Sequence, residues 1–168
     1  GNAACVAAVH GPQFLHTDAF GWMQWTGSHW QRDAAEAAVH GAVVDTLKAR
    51  CILGAQTENT DLVKAAVPSA KQTKDALYHL RHMLTVTSSE FDAVPWLLNV
   101  RNGVIDLRNG EMAAHEPGNR FTYCIPVDYG PGNESHLWLG LLLDWFEGDH
   151  ELALYVQRCL SYSTTGET

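Results

Sequence analysis

Positive charge is scarce in this chain. Lys and Arg number 11 against 19 Asp and Glu, and the net charge is −8 with the histidines neutral. A domain that binds bulk polyanion over its whole surface is basic, so that class is excluded, while a local basic stripe stays open. A Gly-Lys pair is missing altogether. A P-loop needs backbone amides and a lysine to cradle phosphates, so this chain alone should not hydrolyse ATP through one. It also has no H-E-x-x-H and no G-x-S-x-G. No C-x-x-C occurs: Cys5, Cys51, Cys124 and Cys159 stand far apart. That speaks against a Cys-based zinc site or a thioredoxin-type pair, and for reduced, mostly buried thiols in a cytoplasmic protein. No apolar run reaches the ~18 residues that span a bilayer, so no membrane partner is expected. The chain starts Gly1-Asn2-Ala3, without Met and without the charged and apolar regions of a signal peptide. It stops on Thr164-Thr165-Gly166-Glu167-Thr168, just past a helical pattern. Both ends read as cuts in a longer protein.

What is present suffices for one sizeable core in 168 residues. The pattern predicts a short helix over Asn2–His10, stopped by Gly11-Pro12. Strands follow over Gln13–Trp30. Phe20, Trp22, Trp25 and Trp30, with a Thr26-Gly27-Ser28 turn, make an aromatic hairpin. Asp33 opens a helix with Glu36 in the capping-box position. Val39, Val43 and Leu47 carry its apolar face, and Gly54 ends it. Thr60–Val67 reads as a short helix. Ser69 and Gln72 open another that runs to Leu84, with Leu77, Leu80 and Leu84 as its apolar edge. Ser88–Pro95 reads as a polar linker. Two Asn-Gly pairs, Asn102-Gly103 and Asn109-Gly110, signal type I′ turns, whose central residues both need positive φ. They predict a meander of Leu97–Arg101, Val104–Arg108 and Glu111–His115. Phe121–Val127 reads as a further strand. Gly130-Pro131-Gly132-Asn133 is the clearest breaker and sets a boundary between residues 1–129 and 130–168. Beyond it, Leu137, Trp138, Leu141, Leu142, Trp145 and Phe146 repeat at helical spacing. Asp149 caps a last helix expected to bury Leu152, Tyr155, Val156, Cys159 and Leu160. The two form a hairpin joined at Gly148. The expected fold class is α+β: a small antiparallel meander and an aromatic hairpin packed with helices, ending in a helical hairpin.

Few residues carry an obvious chemistry. Asp106 and Glu111 can approach across the second hairpin, but solvated turn-end carboxylates are the simpler reading. His79 and His82 share a helix face, with Asp75 as a third group; the ligand types suit a metal but the set is incomplete. Lys71, Lys74, Tyr78 and Arg81 fall at i, i+3, i+7 and i+10 of the same helix. Cations there can neutralise phosphates while Tyr stacks on a base; a solvated helix face is the plain alternative. Arg101 and Arg108 add a second basic spot. Trp22, Trp25 and Trp30 suit either a stacking platform or, more simply, the closing of a small sheet.

The opening Gly1-Asn2-Ala3, then Gly21-Trp22, Trp25-Thr26-Gly27 and Trp30, and the block Pro95, Leu97, Leu98, Asn99, Asn102, Gly103, Asp106, Leu107, Gly110, His115 and Pro117, carry a resemblance. So do Thr122, Val127-Asp128-Tyr129, Gly148-Asp149, Tyr155, Gln157-Arg158 and Thr165-Gly166. With these the chain resembles the domain that precedes the superfamily 3 helicase in phage and plasmid primase–helicases, a domain shared with the poxvirus primase–NTPase. Thr26 departs from the Asp usual before the turn glycine, and Ala34–Ser89 matches only in helical character. The resemblance implies replication of a mobile element (a phage, prophage or plasmid). It implies a primase before this segment and an ATP- and Mg²⁺-dependent hexameric DNA helicase, a hydrolase, after it. It implies a connecting, oligomerising or DNA-guiding role for residues 1–129 and a helical collar for 130–168. It assigns no catalytic residue, metal or cofactor within this segment. The rival expectations are a small metal-dependent hydrolase and an aromatic-platform binding module.

Overall fold

The structure, a computed structural model, describes residues 1–130 and 136–165. Helix α1 spans Asn2–His10. Gly11 does not stop the chain with a left-handed turn; it stays right-handed at φ −50° and leads into one tighter turn over Gly11–Gln13. Pro12 is accommodated at the start of that turn, where no amide donor is needed. The first sheet then follows as β1 (Phe14–Thr17), β2 (Gly21–Trp25) and β3 (Trp30–Arg32), antiparallel and in sequence order.

Side chains alternate across a strand, and the register sorts this sheet into two faces. Phe14, His16 and Trp22 share one face, since His16 pairs with Trp22. Phe14 and Trp22 join Ala3, Val6, Val43 and Leu80 in the main core. Leu15, Met23, Trp25 and Trp30 share the other face, where Trp25 pairs with Trp30. There Met23, Trp30 and Phe91 form a second apolar cluster. The segment read as a polar linker therefore carries a core anchor in Phe91. It also carries a one-turn helix over Ser88–Glu90, capped reciprocally by Thr87 and Glu90.

Helix α2 begins at Ala37 and runs to Gln56, starting and ending about three residues later than the sequence pattern indicates. Asp33 does cap it, but from a distance. Its two carboxylate oxygens accept from the amides of Ala38 and Val39 at 3.0 and 2.9 Å. The chain bridges the gap by placing Ala35 and Glu36 in the left-handed region, so Glu36 forms no capping box. Gly54 does not end the helix either. It is a buried contact position, where a Cβ would sit 2.9 Å from Val63 Cγ2 and 3.0 Å from the Val63 amide nitrogen. Helix α3 (Thr60–Ala66), capped by Asn59, packs there. Helix α4 (Ala70–Leu84) is capped by Ser69 and buries Thr73, Ala76 and Leu80. Leu77 and Leu84 pack at the margin of the same core.

The meander forms with shorter strands: β4 (Leu97–Val100), β5 (Gly103–Asp106) and β6 (Met112–Ala113). Its turns are not the expected pairs of left-handed residues. Val100 pairs with Gly103, so Arg101 and Asn102 make the first turn, and neither has positive φ. Gly103 belongs to β5 and is needed for a close approach: a Cβ there would lie 2.6 Å from the Ala113 carbonyl oxygen. The second connection is longer, with the Asp106 amide bonded to the Glu111 carbonyl at 2.9 Å. Only Gly110 is left-handed there, at φ +73°. Phe121–Val127 is not a regular strand. It meets the meander at one parallel bridge, Val100 to Ile125, flanked by bonds from the Asn99 side chain to Tyr123 and from the Arg101 amide to Val127.

Helices α5 (His136–Trp145) and α6 (His150–Tyr162) form the expected hairpin. Gly148, at φ +83°, closes α5 by donating its amide to the Leu143 carbonyl, a helix-ending bond that glycine makes without strain. Asp149 caps α6 through the Leu152 amide. The expected burial does not follow. In α6 only Ala153 is buried; Leu152, Tyr155, Cys159 and Leu160 are exposed and Val156 is half-buried. The breaker at Pro131–Asn133 and the terminal Gly166 lie outside the described residues. The cysteines are free thiols, none fully buried, against the expectation of mostly buried ones. Six helices with two small antiparallel sheets make the described chain an α+β fold. No helix among the described residues is long and apolar enough to cross a membrane.

Candidate nucleic-acid interface

The motif residues prove to be joints of the scaffold. Trp22 and Trp30 are buried and Trp25 is half-buried, so the buried pair offers no free face for a stacking ligand. Trp30 instead donates its indole N–H to the Pro117 carbonyl at 2.9 Å, tying the first sheet to the stretch after the meander. Asn99 is fully buried. Its side-chain nitrogen donates to the Ser28 carbonyl at 2.9 Å and to the Tyr123 carbonyl at 2.6 Å. One amide thus rivets the β2–β3 turn, β4 and the Phe121–Val127 segment. Its Oδ1 is buried without a partner.

Asn102 clamps the Tyr129 backbone from both sides, donating to its carbonyl and accepting from its amide at 2.7 and 2.9 Å. His115 donates from Nε2 to the Arg101 carbonyl at 3.2 Å, and its Nδ1 is buried without a partner. Leu107 bonds its amide to the Trp96 carbonyl at 2.9 Å, and Gly110 turns the chain beside it. Asn2 links three helices: it accepts from Arg50 of α2 and donates to the Ala65 carbonyl of α3.

Asp106 and Glu111 are each engaged by a neighbour of their own turn. Asp106 accepts from the Arg108 amide and guanidinium, at 2.9 Å from Nε and 2.6 Å from Nη2. These bonds hold its carboxyl down to about 2, so it stays ionised and is no proton donor near neutrality. Glu111 is engaged by the Asn109 side chain. His79 and His82 both lie edge-on to Tyr78, with ring centroids 5.4 and 4.9 Å from it. Among the described residues no group of three or more His, Cys, Asp or Glu is placed to hold a metal.

The six basic and aromatic candidates separate into two kinds. Arg101 is taken by Asp128 at 3.4 Å and by the Pro126 carbonyl, and Arg108 by Asp106. Lys71, Lys74 and Arg81 on α4 are exposed, and no ion pair engages them among the described residues. Tyr78 stands among them, 62% exposed. The core-facing line of Thr73, Ala76 and Leu80 holds the opposite side of the helix inward, so the four project together along about 15 Å of α4. A second group, absent from the spacing argument, closes on the end of this stripe. His16 from the end of β1 and Asp18 just beyond it line a cleft of about 410 Å³ with Tyr78, Arg81, His82 and Thr85. His16 is held there by backbone: the Val86 amide donates to its carbonyl at 2.9 Å. Its imidazole pKa is pushed below its ordinary 6.5 by burial first and by Arg81 second.

Fold and site together define a small α+β domain whose recurrent residues build a frame, with an unpaired cationic helix face on its outside. The chain belongs to the family described as D5 N terminal like, which matches residues 3–147. It is therefore the N-terminal domain type of D5-like primase–helicase proteins, the family its motifs suggest. No curated protein matches the chain.

Proposed function

We propose that this chain is a non-catalytic domain of a phage- or plasmid-type replicative primase–helicase. It connects the primase of the same chain to an ATP- and Mg²⁺-dependent superfamily 3 helicase, and it guides DNA along α4. The observation that carries the DNA role is the stripe of Lys71, Lys74 and Arg81, which have no ion-pair partner among the described residues and flank an exposed Tyr78. Arg101 and Arg108, already paired with Asp128 and Asp106, contribute less. The motif residues supply stiffness: joints such as Trp30 to Pro117 and Asn99 to Ser28 suit a part that transmits position rather than one that reacts. The test is DNA binding by the 168-residue chain. Replacing Lys71, Lys74 and Arg81 together by Gln should weaken binding strongly and leave only a weak residue, whereas replacing Arg101 and Arg108 should change it little. Unchanged affinity in the triple variant contradicts the reading.

A second reading, compatible with the first, concerns assembly. Leu137 and Trp145 of α5 are 76% and 65% exposed, and Leu152, Tyr155 and Leu160 of α6 are exposed too. So much apolar surface on one hairpin supports a role as the collar through which copies assemble into a ring ahead of the helicase. Sedimentation of the chain against a Leu137→Glu, Trp145→Glu variant checks this: self-association in the parent and its loss in the variant is the expected pair of results.

A further inference from the structure

Building on the proposed DNA-guiding role of α4, we infer that the cleft between the end of β1 and the last turns of α4 holds one unpaired nucleobase bearing an exocyclic amine. The base stacks on Tyr78 while Arg81 takes its phosphate.

The geometry differs along the cleft. Arg81 and Tyr78 stand at the exposed rim, and His16 forms a buried floor. The His16 ring is fixed edge-on against Trp22, with centroids 5.2 Å apart. Tyr78 is an aromatic side chain kept out of the core, and its ring is steadied by the edge contacts of His79 and His82. An exposed, oriented aromatic beside cations is the arrangement that binds single strands, because every base has a π-face and every nucleotide a phosphate. A duplex keeps its bases stacked and cannot offer one to a ring.

Asp18, exposed like Arg81, decides how the nucleotide is oriented. Its carboxylate on the cleft wall repels phosphate, so the phosphate is drawn to Arg81, in line with Lys74 and Lys71. The same carboxylate accepts a hydrogen bond from an amine. Adenine, cytosine and guanine carry an exocyclic amine; thymine does not. The cleft's volume of about 410 Å³ leaves room for a base with its sugar. Burial leaves the His16 imidazole uncharged near neutrality, so the floor adds no positive charge that would draw the phosphate inward. The groups facing it are Arg81 and His82 from α4, Asp18 beyond β1 and Glu36 before α2.

The test is fluorescence anisotropy of the 168-residue chain with oligo-dC, oligo-dT, an abasic strand and a duplex of equal length. The expected order is oligo-dC tightest, then oligo-dT, with the abasic strand and duplex weakest. Tyr78→Ala should weaken oligo-dC by roughly five- to 150-fold, the effect of losing one base–aromatic stack. It should leave the abasic strand unchanged, and Tyr78→Phe should keep most of the affinity. Asp18→Asn should narrow the gap between oligo-dC and oligo-dT. If Tyr78→Ala binds base-bearing and abasic strands as the parent does, the cleft inference is wrong while DNA guidance by the cations stands. If the parent chain binds none of the four, both readings fall. Tyr78 is exposed, so Tyr78→Ala should melt like the parent, which separates lost stacking from lost fold.

Discussion

Single side chains carry the joints of this domain, and their costs can be ranked. Asn99 matters for its donors, since its Oδ1 already lacks a partner. Asn99→Asp keeps the shape but removes both N–H bonds and places a carboxylate against two carbonyl oxygens. Leaving a buried group unpaired costs about 1–3 kcal/mol, so Asn99→Asp should lose at least about 2 kcal/mol in urea denaturation. Asn99→Leu, which buries no charge, should lose less. His16 gives a pH signature. Its pKa is lower in the folded chain than the ordinary 6.5, so the unfolded state binds the proton more readily. The stability it contributes is complete above pH 6.5 and is lost as pH falls below that value. Denaturation midpoints between pH 7.5 and 5 should therefore fall less steeply in His16→Gln than in the parent. An identical slope would show that another group dominates.

Among the elements, those governed by neighbours in sequence were legible and those governed by distant contacts were not. Helices α1, α3 and α4, with the caps at Ser69 and Asp149, follow from local spacing and capping chemistry, and the structure has them. The aromatic hairpin was legible for the same reason. Gly54 was not, because its role depends on α3 folding back onto it. In an open helix Gly→Ala gains about 1 kcal/mol. Here the added Cβ meets backbone of α3, so Gly54→Ala should instead destabilise the chain by about 1–3 kcal/mol, read as a drop in melting temperature. Gly103 looked like a turn residue, yet the approach of β6 explains it. The start of α2 was hidden because Asp33 reaches over two left-handed residues. Of the site, the α4 stripe could be read from spacing. The cleft could not, since His16 and Thr85 stand 69 residues apart and only folding brings them together.

For the whole molecule, the balance of −8 sets the terms of the proposed contact with DNA. Most of the surface repels a phosphate chain, so binding must come from a small region where cations are not already paired with carboxylates. Pairing removes Lys48, Arg101, Arg108 and Arg120 from that supply; of the exposed cations without an ion pair among the described residues, Arg32, Lys64 and Arg158 lie on three different elements, while Lys71, Lys74 and Arg81 share one face of α4. A weak, local and salt-sensitive contact of this kind suits a domain along which DNA passes. The rigid joints between the two sheets keep that face in a fixed place relative to the rest of the frame.

The most direct measurement is the dependence of single-strand affinity on salt, in the parent and in the Lys71, Lys74, Arg81 triple Gln variant. Each neutralised phosphate contributes about −0.7 to the slope of log affinity against log salt. Three contacts should give the parent a slope of about −2, and the triple variant a slope near zero. Equal slopes in the two proteins would contradict the account.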